Sequence, residues 1–273
     1  MAPNYSATGV RRIRLYYDLA YLWPIISPPE EYAEEAGHWR DAVREKLGPG
    51  RHNLLELGVG GGHNLSHLTG EFECTAVDLS PNMLALSKGL NPAVEHYLGD
   101  MRTIRLQNTF DAVLIHDAAS YLLSKEDLRN TFDTAGIHLR NSGVLLVAPD
   151  WVEETFPDGW VFTWEQKQGD IEVKIEEVMV DSDPSDMEVE STYTYTIKRD
   201  GTVNVETDTH ITGLFPINTW VGLLEEAGFS VDLIPLPPNE GGYGSWLFVA
   251  VWEGRGLPSG QPATVDTPLV SGE

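Results

Sequence analysis

The residues with the clearest chemical meaning stand in one run, Leu54-Leu55-Glu56-Leu57-Gly58-Val59-Gly60-Gly61-Gly62-His63-Asn64-Leu65. An apolar strand passes into a glycine turn and then a helix. Gly58, Gly60 and Gly62 permit positive φ and close approach of a ligand to the backbone. A nucleotide-like cofactor needs both at the carboxyl end of a strand. The spacing departs from a dinucleotide fingerprint, because bulky His63 stands where a small third residue is required. Glu56, just before the turn, repels a pyrophosphate and suits an ammonium. No Gly-Lys-Ser/Thr follows, so a phosphate loop is excluded. Asp78 ends the next strand, where a carboxylate accepts both hydroxyls of a ribose. Ser80, ahead of Pro81, takes the helix-capping role that would otherwise explain Asp78. Leu79 and Met83 stand on the same cofactor side. In Gly99-Asp100-Met101, Asp100 suits an exocyclic adenine amine and Met101 the ring face.

Candidates for handling a proton come later. His116 follows a strongly apolar strand at its carboxyl end, where sites of open α/β sheets lie. An ordinary pKa of ~6.5 would suit a base near neutrality. Alternatively its backbone meets the cofactor while the ring packs. Asp117, Tyr17, Tyr21 and His210 are rivals. Tyr17 and Tyr21 read equally well as an aromatic lid or as N-terminal packing. His63 and His67 lack the intervening Glu of a zinc-protease helix, so no metal site is expected.

The elements that must position these residues alternate. A helix is predicted over 30–47, with Gly48-Pro49-Gly50 as its stop. Strands are predicted over 53–57, 72–77, 94–98, 110–115 and 143–148, with helices over 64–68, 81–90 and 125–139 between them. That rhythm is a doubly wound α/β sheet. From 159 to 213 apolar and polar residues alternate, with turns at Gly169 and at Asp200-Gly201. This predicts three or four antiparallel strands inserted as a small second sheet. A helix over 216–227 and strands over 229–234 and 245–252 complete a seven-stranded, mostly parallel sheet. The expected division is an N-terminal helical cap (1–52), an α/β domain (53–158 and 214–254), the inserted sheet (159–213) over the substrate site, and a disordered tail (255–273).

Composition narrows the partners. Asp and Glu number 42 against 18 Lys and Arg, a formal charge of -24. Such a surface repels nucleic acid and anionic lipid. The single cysteine, Cys74, excludes an intramolecular disulfide and a Cys-based metal cluster. No apolar run resembles a signal peptide or a membrane span. The expectation is a cytoplasmic protein with a small-molecule partner, no nucleic acid, no membrane, and a plausible homodimer.

On these residues the chain resembles a class I S-adenosylmethionine-dependent methyltransferase from about Tyr16 to Trp252, most specifically from Glu56 to Asp150. The resemblance implies S-adenosylmethionine as cofactor. Its methionine part would lie against Glu56, Gly58, Gly60 and Gly62, its ribose against Asp78, and its adenine beside Asp100 and Met101. The chain is more closely similar to bacterial N-methyltransferases of nucleotide-linked amino sugars in antibiotic pathways. Tyr17-Asp18-Leu19-Ala20-Tyr21, Tyr32-Ala33-Glu34-Glu35-Ala36, Gly99-Asp100-Met101-Arg102, Pro149-Asp150-Trp151 and the insertion carry that similarity. His116-Asp117-Ala118-Ala119-Ser120-Tyr121 departs from the family's Ser-rich version. The implied reaction is methyl transfer to an amine nitrogen. Transfer to oxygen or carbon with His116 as base, and non-catalytic cofactor binding, remain alternatives.

Overall fold

The structure, a computed structural model, describes residues 13–237 and 245–254. The expected tail over 255–273 lies outside the described residues. Helices are α1 (Trp23–Ile26), α2 (Ala33–Leu47), α3 (His63–Ser66), α4 (Pro81–Leu90), α5 (Lys125–His138) and α6 (Ile217–Ala227). The main sheet is built from β1 (Asn53–Leu57), β2 (Glu73–Asp78), β3 (Glu95–Leu98), β4 (Phe110–Ile115) and β5 (Leu139–Val147). Four further strands are β6 (Val161–Gln168), β7 (Ile171–Val180), β8 (Glu188–Arg199) and β9 (Thr202–Gly213). Strands β10 (Phe229–Pro235) and β11 (Trp246–Trp252) return to the main sheet.

The main sheet has seven strands in the order β10-β11-β5-β4-β1-β2-β3. Only β11 runs antiparallel to its neighbours β5 and β10. Strands β1 and β4 are apolar on both faces because helices cover both. On one face Leu55, Val113 and Leu145 pack against α5 and α6 through Phe132 and Trp220. On the other, Leu54, Ala112 and Leu114 pack against Trp39 of α2 and Leu84 of α4. Strand order reverses between β1 and β4, which opens a crevice at their carboxyl ends.

The inserted sheet is antiparallel in the order β6-β7-β8-β9. Asp200 (φ 48) and Gly201 (φ 75) form the two-residue turn between β8 and β9, both with the positive φ that such a tight hairpin requires. Leu15, Leu19, Leu22 and Ile25 of the N-terminal segment share a third core with Val173, Ile175, Tyr195 and Ile197 of this sheet. The N-terminal segment is therefore the inner lining of the inserted sheet. Strand β5 starts earlier than its predicted 143, because Leu139 already pairs with Phe110 across a bulge.

Candidate active site

The glycine turn leaves β1 and is tied to the end of β2. The Gly58 and Val59 N–H groups donate to the Val77 carbonyl, and Gly60 N–H donates to Asp78 Oδ2 at 2.7 Å. A Cβ on Gly58 would fall 2.2 Å from Ala118 Cβ, and Gly60 sits at φ +56. Asp78 Oδ1 accepts from Ser80 N–H at 2.7 Å, while the Ser80 hydroxyl caps α4 through Met83 N–H. Burial pushes the Asp78 carboxyl up to about 6, although the Ser80 and Gly60 bonds oppose it. Ser80 also donates to the Tyr16 carbonyl and Asn82 to the Tyr17 carbonyl. The Tyr16-Tyr17 backbone is thereby fastened over this turn. Leu79 is half-buried, and Met83 and Met101 flank the glycines. Gly99 follows β3 with Ile104 packed against its Cα. Asp100, expected to be open to an adenine amine, is engaged: Arg102 Nε and Nη2 grip its carboxylate, and Arg102 Nη1 reaches Asp127 at 2.7 Å.

His116 sits at the end of β4 among carboxylates. Its Nε2 lies 3.1 Å from Glu56 Oε1 and its Nδ1 3.4 Å from Asp117 Oδ2. The ring stacks on Trp39. Burial alone would favour the neutral ring. Asp117 and Glu56 outweigh it and hold His116 well above the usual histidine range. This corrects the expectation of an ordinary pKa. The two carboxylates thus favour the imidazolium, which has no lone pair free to act as a base. Glu56 is fully buried, with Oε1 matched to His116 and Oε2 left without a partner among the described residues. Glu35 of α2 joins the cluster, accepting from Asn64 at 2.7 Å. Burial, reinforced by Asp117, pushes Glu35 up to about 7.

Beyond Asp117 lies a cavity of about 480 Å³ between the N-terminal segment, the inserted sheet and the ends of β4 and β5. Burial and the charge of Asp117 push Asp150 well above the carboxylate range. Burial would raise Asp117 too, but His116 and a hydrogen bond from Asp150 hold it below its ordinary value. Asp117 has 49% of its side-chain surface accessible because it borders the cavity.

A second polar chain crosses the cavity wall. Asp208 Oδ2 accepts from Leu15 N–H at 2.8 Å and lies 3.1 Å from His210 Nε2. Burial acts to raise Asp208, but His210 and the backbone donors hold it below its ordinary value. With Asp208 ionised, His210 Nε2–H donates to it and Nδ1 accepts from the Tyr121 hydroxyl at 2.9 Å. The Tyr16 hydroxyl meets Tyr121 at 2.7 Å.

Comparison with known proteins decides what this crevice serves. A methyltransferase-domain family model matches residues 54–143. A dTDP-3-amino-3,4,6-trideoxy-alpha-D-glucopyranose N,N-dimethyltransferase of Streptomyces venezuelae is 32% identical over 86% of this chain and 95% of its own. The chain belongs to the S-adenosylmethionine-dependent methyltransferases. The crystal structure of Streptomyces venezuelae DesVI superposes with a TM-score of 0.74 at 30% identity, covering 87% of this chain and 97% of that one. The sugar N-methyltransferase KedS8 of Streptoalloteichus superposes with a TM-score of 0.75 at 25% identity, covering 92% and 98%.

The cleft of this methyltransferase suits its cofactor. Trp23 Nε1, Glu56 Oε2 and Asn64 Oδ1 are buried and have no hydrogen-bond partner among the described residues. A donor and two acceptors left unpaired around one glycine turn match a zwitterionic amino-acid end. Not every sequence candidate arrives. Tyr21 is 52% exposed and stands away from the cavity; Tyr16 and Trp23 line it instead. Tyr17 is half-buried beside α4. His63 packs against Trp23 and Tyr32, whereas the His67 ring bonds the Pro29 carbonyl at 2.7 Å. Asp150, Tyr121, Glu177 and Tyr193 line the cavity, although none of them was named as a site residue. Trp160, Phe162 and Trp164 alternate in the sequence, a pattern that marks one face of the aromatic wall.

Proposed function

We propose that this methyltransferase methylates the amine nitrogen of a small amino sugar on an antibiotic-type pathway. One observation carries the reading: a cavity combines aromatic walls with the Asp117–Asp150 pair beside the cofactor crevice. Aromatic walls favour an amine that sheds its proton on entry, and ionised Asp117 orients the nitrogen through its remaining N–H. The relatives named above act on amino sugars, which supports the same class here.

When bound, S-adenosylmethionine would supply an electrophilic sulfonium methyl, the N–C bond forming as the S–C bond breaks and S-adenosylhomocysteine leaving. In this reading Asp78 holds the ribose hydroxyls, and the glycine turn with Glu56, Asn64 and Trp23 accommodates the methionine end. Leu79, Met83, Gly99 and Met101 provide the apolar bed of the nucleoside. Tyr16 and Tyr121 pass the amine proton to His210 Nδ1, and Asp208 stabilises the imidazolium that forms. The walls exclude water from the reacting line.

The direct test is a labelled-methyl assay over paired amines and alcohols, with the product linkage read by NMR. Methylation of amino sugars at nitrogen is the expected result; methylation of hydroxyl groups alone would reject the reading. A second result follows from Asp78. Its carboxyl is pushed up to about 6, and only its ionised form accepts two hydroxyls. Affinity for S-adenosylhomocysteine should therefore weaken as pH falls below about 6, and hold above it. Asp78→Asn should cost about 10- to 100-fold, as expected for charge-assisted bonds, and flatten that pH dependence. Calorimetry at pH 5 and pH 8 checks both, and an unchanged slope in the variant counts against the assignment.

A further inference from the structure

Glu35 of α2 meets His116 and Asp117, which follow β4. A carboxylate oxygen of Glu35, a ring nitrogen of His116 and a carboxylate oxygen of Asp117 lie within 4.8 Å of one another. Glu56 of β1 adds a third carboxylate, 3.1 Å from the same imidazole. Asn64, in the first turn of α3, fixes the Glu35 carboxylate by donating to it at 2.7 Å. Two buried oxygens, Glu56 Oε2 and Asn64 Oδ1, have no hydrogen-bond partner among the described residues. Each belongs to a side chain whose other end already touches the cluster. Oxygens left free in this way suit a cationic ligand.

The charges within the cluster do not balance. Glu35 faces Asp117, Glu56 and His116, with Tyr32 beside it just before α2, and of these groups only His116 carries positive charge. Carboxylates this close resist ionising together beside a single cation. Glu35 is half-buried, and burial, reinforced by Asp117 and Glu56 and opposed by His116, pushes it up to about 7. The cluster also lies between two regions the cofactor must join. The glycine turn takes the methionine end in the reading above, and Asp117 borders the cavity that the methyl group must face. At its sulfur S-adenosylmethionine carries one positive charge that S-adenosylhomocysteine lacks.

We propose that Glu35 is a cofactor-binding residue that reads the sulfonium charge: it releases a proton when S-adenosylmethionine binds, and so holds that form more tightly than S-adenosylhomocysteine. The proposal rests on the methionine-end placement above and is independent of the acceptor. Calorimetric titrations at pH 7, in buffers of different ionisation enthalpy, count the protons. The ligands are S-adenosylmethionine, S-adenosylhomocysteine and sinefungin, whose ammonium replaces the sulfonium and cannot be transferred. The two cations should release about half a proton more than the thioether, as expected for a carboxyl near 7. Asp78 serves all three ligands alike and cancels in the difference. Glu35→Gln keeps an acceptor for Asn64. It should abolish the excess release and weaken the two cations about tenfold, the thioether by less than about threefold. In the unaltered enzyme the affinity ratio of S-adenosylmethionine to S-adenosylhomocysteine should rise about fivefold or more from pH 6 to pH 8, because the sulfonium selects ionised Glu35. A ratio flat with pH would overturn the proposal. So would equal weakening of all three ligands, or an excess release that survives in the variant and so belongs to His116. Trp23→Phe checks the methionine-end placement apart and should weaken all three ligands alike. If it weakens none, that placement fails, and the proton count still decides the role of Glu35.

Discussion

Replacing His210 with phenylalanine is expected to lower kcat at pH 7 by about 10²–10³, within the range of lost acid–base assistance, with little change in the KM of either substrate. An amine must enter or react as the free base, and each transfer leaves an extra proton on nitrogen. In the proposed route that proton passes from Tyr16 to Tyr121, 2.7 Å away, and from Tyr121 to His210 Nδ1, 2.9 Å away. Asp208 receives the other face of the imidazole at 3.1 Å. Phenylalanine keeps the ring volume against Tyr193, whose centroid lies 4.5 Å from His210. It removes the acceptor that ends the chain. Tyr121→Phe cuts the same chain one step earlier, so the two losses should not add in the double variant. The loss should also shrink toward pH 9, where more of the acceptor arrives unprotonated. Rate profiles from pH 6 to 9 check the assignment. A loss that is equal at every pH, with multiplicative effects of the two variants, would reduce both residues to packing roles.

What was legible in the sequence was mostly local. Helix α4 and strands β1 and β4 occupy their predicted spans, because proline, glycine and apolar runs mark them within a few residues. The glycine turn and Asp78 were legible for the same reason. The proton chain was not, since Tyr16 and Tyr121 are 105 residues apart and Tyr121 and His210 are 89 apart. His210 could be named as a titratable candidate, but not its partners. Tyr21 was misplaced because the N-terminal segment winds through short 3-10 turns at Arg14–Tyr16 and Ala20–Leu22. That winding turns Tyr16 inward and leaves Tyr21 outside. His116 was misjudged from its residue type. Its proton affinity is set by Glu56 on β1 and by Asp117, and the first of these depends on which strands are neighbours.

The arrangement around His116 leads to the other large effect. His116→Gln is expected to destabilise the protein by about 3–5 kcal/mol, the usual cost of removing one partner from a buried ion pair. Glu56 is fully buried, Oε1 is matched to His116, and Oε2 has no partner among the described residues. Without the imidazolium that carboxylate must ionise alone or take up a proton. The sign with pH follows from the raised folded-state value of His116. Its contribution is fully present below the unfolded value of ~6.5 and is lost as pH rises through the folded value. The gap between wild type and variant should therefore be widest near pH 6 and narrow in alkali. Urea unfolding at pH 6 and pH 9 measures it. A second variant separates charge from chemistry. Glu56→Gln combined with His116→Gln removes both charges and should recover most of the stability, as replacing both members of a buried pair does elsewhere. In that background kcat at saturating S-adenosylmethionine should stay within about tenfold of wild type if His116 serves only to compensate buried charge, while the KM for S-adenosylmethionine should rise because the proposed methionine end loses the Glu56 carboxylate. A recovered fold with kcat still down by about 10²–10⁴ would return the base to His116 and remove it from His210.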